Sequence, residues 1–148
     1  MLSESLIYVY ENDLRRVMAE IKQYEAEEDL WKVTGEISNS GGNLALHLIG
    51  NVKHYLGAVL GGSSYKRERD KEFSNRHISR KEIIRELENA IEIMKQTLGK
   101  LTAEDFEKDF PQEFSGQTQK TLPVVIYMLS HLAYHLGQIN YHRRLLSK

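Results

Sequence analysis

His131 and His135 stand four residues apart near the C-terminal end of the chain, in a stretch whose apolar positions recur with helical spacing. On a helix, four residues bring both rings to one face, with backbones about 6 Å apart along the axis. Two imidazoles so placed can converge on one ion at about 2.0–2.1 Å each. Met128, Leu132 and Ile139 mark the apolar stripe beside them, which turns the pair inward. Two inward imidazoles need partners, because each ring nitrogen that leaves water requires a hydrogen bond or a ligand bond. A metal ion is one way to satisfy them; a carbonyl or a carboxylate is the other.

A third histidine on another helix sharpens this reading. His47 lies one turn after Leu44 and one turn before Asn51. His54, seven residues later, falls on nearly the same face but about 10 Å further along the axis. Only one of the two can join the pair. The long link between the second and third helices permits a crossover that runs the second and fourth helices antiparallel. His131 and His135 then match the depth of His47 and Asn51, while His54 lies too close to the helix end near Leu60. The expected ligands are His47, His131 and His135. Asn51, His54, Gln138 and His142 are candidates for the surrounding pocket. Gln138, three residues after His135, is placed to bond a ligand ring or a metal-bound water, or serves only as a helix former, and His142 lies one stripe below, either at the rim or behind a ligand. His77 falls in a polar connection and is expected in water. With no cysteine in the chain, a thiolate nucleophile, a disulfide scaffold and Cys-based zinc sites are excluded.

Four long helices have to position these residues. The first runs from about Leu2 to Tyr24, with Leu6, Tyr10, Leu14, Val17, Met18 and Ile21 at three- and four-residue steps. The stretch Glu25 to Gly42 breaks the pattern and holds the only tryptophan, Trp31. The second helix spans about Asn43 to Leu60, with Leu44, Leu48, Val52, Tyr55 and Val59 on one face and Gly61-Gly62 as its stop. A polar connection follows from Ser63 to Ile78, and its core Tyr65–Phe73, alternating in charge sign, reads as a solvated crossover. Ser79 and Glu82 form a capping-box pattern ahead of the third helix, which ends at Gly99. Thr102 with Asp105 suggests one short turn, and Phe106 to Lys120 is expected to be irregular. The fourth helix begins near Thr121 with Pro123 in its first turn and runs to about Leu146. The fold class is all-α, a four-helix bundle, organised as a single domain over residues 1–148.

Composition bounds the partners. The 148 residues are 41% hydrophobic and 28% charged, which is globular rather than disordered. Twenty basic residues balance 21 acidic ones, so no electrostatic case exists for nucleic acid or an anionic membrane. No apolar run is long enough to span a bilayer, and the first ten residues lack the pattern of a secretory leader. A cytoplasmic protein is expected.

The stretch His131-Leu132-Ala133-Tyr134-His135-Leu136-Gly137-Gln138-Ile139 resembles the H-x-x-x-H-x-x-Q signature of the DinB/YfiT-like superfamily of bacterial helical bundles. The block Asn43 to Asn51, centred on His47, resembles the second-helix histidine motif of the same superfamily. The resemblance implies an up-down-down-up bundle, a divalent ion, zinc or nickel, held by His47, His131 and His135, and a homodimer. It also implies, for some relatives, S-transfer to or from a low-molecular-weight thiol. The Arg67–Phe73 block and the Gly61-Gly62 stop are similar to an uncharacterised subgroup.

Two functions follow from these expectations. In the first, three neutral imidazoles leave a position open on the ion, as catalytic sites require. The chain is then a thiol S-transferase or a hydrolase acting on a small molecule. Tyr55, Tyr134, Asn51 and Gln138 would orient the ligand, and Arg67 or Arg69 would hold a substrate carboxylate if the crossover folds over the pocket. In the second, the bundle binds metal without catalysis, in a structural or stress-response role. The lack of any acid placed by helix spacing beside the triad favours that alternative.

Overall fold

Leu6, Tyr10, Leu14, Val17, Met18 and Ile21 form the buried face of the first helix, α1 (Leu2–Gln23), as their spacing predicts. A computed structural model describes all 148 residues. It is all-helical, with six α-helices, four of them long, and only two isolated β-bridges. A short 3₁₀ turn, Glu27–Trp31, follows α1. Next come α2 (Gly41–Asn51), continued by a π-helical stretch over Val52–Leu60, and a short α3 (Arg69–Ser74). The chain ends with α4 (Arg80–Gly99), a single turn α5 (Ala103–Glu107) and α6 (Thr121–Leu146).

The four long helices pack as a ring of neighbours. Helix α1 lies against α4 and α6, and α2 with its π-helical continuation lies against α6 and α4. They enclose one core cluster of 29 buried apolar residues. No helix is long and apolar enough to cross a membrane. Polar ties fix the helices against one another. The Tyr10 hydroxyl donates to the Val125 carbonyl at 2.9 Å, and Glu20 of α1 accepts from Asn140 at 2.7 Å and Arg143 at 2.5 Å on α6.

Local caps set the helix starts. Ser40 accepts from the Asn43 N–H at 3.2 Å, so α2 begins at Gly41, two residues before the apolar periodicity does. Ser79 caps the Glu82 N–H at 3.1 Å, but the Glu82 carboxylate turns to Arg85, so the expected capping box is only half made. The complete box belongs to α5, where Thr102 and Asp105 bond each other's backbone N–H. The 106–120 stretch is non-helical after its first two residues, yet it buries Phe106, Phe110 and Phe114. It turns back at Ser115 and Gly116, both left-handed at φ 53 and 77, as a tight two-residue hairpin requires.

Helix α2 departs from the sequence pattern in one respect. A straight α-helix drifts only about 20° over seven residues. In the π-helical stretch each residue turns less, so positions beyond Val52 rotate away from where α-spacing puts them. Leu56, at 0% exposure, fills the core in place of the expected Tyr55, which is half-buried. His54 leaves the face of His47 for the same reason. Its Nε2 comes 3.4 Å from the Gln112 side chain, outside the histidine cluster.

The entry to α2 is tight. A Cβ on Gly41 would overlap the Tyr24 hydroxyl and come 2.9 Å from Tyr24 Cζ and 3.0 Å from His142 Nδ1. Those two rings are themselves fixed: Tyr24 donates to His142 Nδ1 at 2.6 Å, and His142 Nε2–H donates to the Lys32 carbonyl at 2.8 Å. Gly41→Ala is therefore expected to destabilise the fold by about 1–3 kcal/mol through overpacking. A urea melt with an unchanged midpoint would show that this junction yields freely.

Candidate metal centre

Three side chains from two helices converge. His47 projects from α2, and His131 and His135 project from α6. His131 Nε2 lies 3.2 Å from His47 Nε2 and 3.0 Å from His135 Nε2. One ligand atom from each residue lies within 4.8 Å of the others. Two ligands at about 2.0–2.1 Å on a tetrahedral ion stand about 3.3 Å apart, so these spacings suit a small divalent ion.

The outward nitrogens explain why the Nε2 atoms face inward as acceptors. His47 Nδ1 lies 3.0 Å from Glu72 Oε1, closer than the 3.3 Å approach of the Arg67 guanidinium, so this nitrogen carries the proton and donates it to the carboxylate. His135 Nδ1 donates to Gln138 Oε1 at 2.7 Å. With both Nδ1 atoms protonated, both Nε2 atoms present lone pairs to each other and to His131. A single His131 proton can serve only one of them. A cation satisfies all three, which is the chemistry this donor set fits.

Glu72 is the residue that sequence spacing missed. It lies on α3, in the run expected to be a solvated crossover, and that expectation is corrected here. Glu72 is buried and Arg67 largely so, with side chains 8% and 11% exposed. Arg67 Nε donates to Glu72 Oε2 at 2.8 Å and its Nη2 to Oε1 at 2.9 Å, a two-point grip on the carboxylate. Asn43 holds the end of α3 in place. Its amide donates to the Glu72 and Asn75 carbonyls at 2.9 and 2.8 Å, and its oxygen accepts from Ser40 and Arg76 at 2.7 and 2.8 Å. All four capacities of this buried amide are met. Gly50 makes room: a Cβ there would overlap the Glu72 carboxylate, with Cδ at 2.6 Å. The signals in the sequence were a glycine one turn after His47 and an acid at helical spacing inside the charged run, neither distinctive alone.

The other sequence candidates divide. Gln138 is bonded to His135, and Asn51 lines a small pocket with His47, His131, Tyr55, Arg67 and Arg69. His142 is buried and does not touch the triad; Tyr24 and the Lys32 carbonyl hold it, which makes it a tie between α6 and the chain after α1. His77 is exposed, as expected. Tyr134 is 65% exposed and packs edge-on to His135.

Burial, aided by the charges of His135, His47, Arg67 and Arg69, pushes the His131 imidazole down to about 4 from its ordinary 6.5. Burial likewise lowers His135. Burial alone would raise the Glu72 carboxyl, but hydrogen bonds from His47 and Arg67 outweigh it and hold the group below its ordinary 4.5. The unfolded chain therefore binds more protons than the folded one between pH 6.5 and about 4. Stability of the metal-free protein is expected to fall as pH drops through that window, with the loss of the Glu72 bonds following at lower pH. Melting temperatures measured from pH 7 to 4 should decline, and less so for His131→Leu; identical slopes would remove His131 as the cause.

Fold and site together define an all-helical protein whose three imidazoles are close enough to hold a metal ion. The chain belongs to the family described as a protein of unknown function (DUF1572), whose model matches residues 6–148. No curated protein matches the sequence.

Proposed function

We propose that His47, His131 and His135 hold one divalent ion, zinc or nickel, and that the protein is a metal-dependent enzyme acting on small molecules, a thiol S-transferase or a hydrolase. The observation that carries this reading is the convergence of three Nε2 atoms whose orientation is fixed from outside by Glu72 and Gln138. Imidazole ligands suit zinc and nickel. The ion would act as a Lewis acid that lowers the pKa of a bound thiol or water. The resemblance to DinB/YfiT-like bundles is part of the proposal, with the up-down-down-up course. The Gln138–His135 bond within the matching motif supports it, as does the long connection between α2 and α4.

The chain's own residues have separable tasks. Glu72 and Gln138 orient His47 and His135. Arg67 is engaged by Glu72, which leaves Arg69, stacked 5.1 Å over Phe73 with no carboxylate partner, to bind an anionic group of a substrate. Arg69 shares with His47, His131 and Asn51 a pocket of about 210 Å³, the size of a small acid group rather than a whole substrate. A homodimer is supported by the outer face of the N-terminal half of α6, where Ile126 and Tyr127 are exposed and no Asp, Glu, Lys or Arg interrupts the helix before Arg143. The cytosol is the compartment we propose, because small-thiol chemistry runs there.

One observation favours a non-catalytic metal-binding role instead. Glu72 faces the outward nitrogen of His47 and is gripped by Arg67, so it is not placed as a free general base. The test is the metal content of the untagged protein, followed by titration of the stripped protein with zinc and nickel. Uptake of one ion per chain supports the site. No uptake of either metal would end both readings. Slow exchange of added thiol ligands at a saturated site would favour the non-catalytic one.

A further inference from the structure

Beside the triad, on the side of His135, the C-terminal half of α6 and the 34–39 segment enclose a cleft of about 740 Å³. That volume is in the range of sites for drug-sized molecules, about 300–1,000 Å³. Ile37, Leu44, Tyr134, Tyr141, Leu145 and Leu146 supply its apolar walls. His135 and Gln138 also line it, so the cleft meets the candidate metal centre at their side chains. His142 offers nothing to a ligand, since both its ring nitrogens are bonded within the protein. Gln138 uses its oxygen on His135, and its amide N–H groups have no protein partner.

Charge separates this cleft from the small pocket across the triad. Arg67 and Arg69 line the small pocket, whereas no guanidinium lines the cleft, the nearest being Arg144, stacked 5.5 Å over the Tyr141 ring. The one ionised side chain of the cleft is Glu36. A fixed anion would enter with no cation in the cleft lining and with a carboxylate there, at a desolvation cost. An uncharged, apolar molecule would instead bury surface against the tyrosines and leucines.

We propose that this cleft is the binding site for an uncharged, largely apolar small molecule, which accepts a hydrogen bond from Gln138 and presents its reacting end at His135. The inference rests on the metal-dependent reading for what happens at that end, but not for binding. Selection then falls to two chambers of opposite character: the cleft takes the uncharged, apolar molecule, and the Arg69 pocket takes the anionic group of a second substrate.

The probe is N-phenyl-1-naphthylamine, an uncharged dye that brightens in apolar surroundings. It is titrated into the untagged full chain with and without zinc. Saturable binding at one dye per chain is expected in both. Leu145 and Ile37 are 79% and 44% exposed, so Leu145→Glu and Ile37→Glu should fold normally. Each should weaken dye binding by about tenfold, the loss of one apolar wall contact. The sulfonated analogue, 8-anilino-1-naphthalenesulfonate, should bind at least about tenfold more weakly than the uncharged dye. His131→Ala should bind the dye as the native chain does, whatever becomes of the metal. Failure of zinc uptake with dye binding intact would defeat the metal reading alone. Absent or unsaturable dye binding, native-like affinity in both Glu variants, or preference for the sulfonate would overturn the cleft. So would dye binding that follows oligomeric state in sedimentation, because the face would then be a subunit interface.

Discussion

His131→Ala is expected to abolish stoichiometric zinc binding while leaving the bundle folded. His131 is the middle member of the cluster, 3.2 Å from His47 and 3.0 Å from His135 through the same Nε2. Loss of a group that merely orients a ligand costs about 10–100-fold in metal affinity, and loss of a ligand should exceed that. The fold should tolerate the change. His131 is only partly buried, and alanine removes the crowding of its Nε2 against the facing Nε2 atoms of His47 and His135. A change within about 1 kcal/mol in the urea stability of the metal-free protein is expected. Zinc titration by calorimetry, with His54→Ala as the control, separates the possibilities. The control should bind as the native protein does, because His54 lies outside the cluster. Native affinity in His131→Ala would mean that the ion, if any, is held elsewhere.

The triad was legible in the sequence because its information is local. Two histidines at a four-residue interval on an apolar stripe face inward wherever the helix packs, and a third at matching depth completes the set. The choice of His47 over His54 was reached from helix depth alone. The structure adds a second cause, the π-helical stretch that begins at Val52 and turns His54 aside. No residue type announces such a stretch, so Tyr55 was placed in the core where Leu56 belongs. Glu72 was illegible for a different reason. In a run of alternating charges, a carboxylate that pairs with Arg67 in the interior looks the same as one that points into water. What distinguishes it is non-local: the amide of Asn43, 29 residues earlier, fastened to its carbonyl, and the absent side chain at Gly50. The sequence pattern constrains periodic faces well and constrains a single buried ion pair hardly at all.

Glu72→Ala should show the largest loss of stability. Removing one partner from a buried pair leaves the other charge uncompensated, at a cost of about 3–5 kcal/mol. Here Arg67 would keep its buried guanidinium without the two-point contact, and His47 would lose the acceptor that fixes its tautomer. Zinc affinity should therefore fall as well, by about 10–100-fold, through His47 rather than through any direct contact with the ion. Gly50→Ala reaches the same result by a different route, because its methyl group occupies the space of the carboxylate without changing any charge. Combining Glu72→Ala with Arg67→Met should recover stability relative to Glu72→Ala alone, since the orphaned cation is then gone, yet zinc affinity should stay low. Urea midpoints and zinc titrations on the three variants read the two effects separately. If Glu72→Ala unfolds at the native midpoint and binds zinc at native affinity, α3 does not hold His47, and the arrangement of the centre has to rest on α2 and α6 alone.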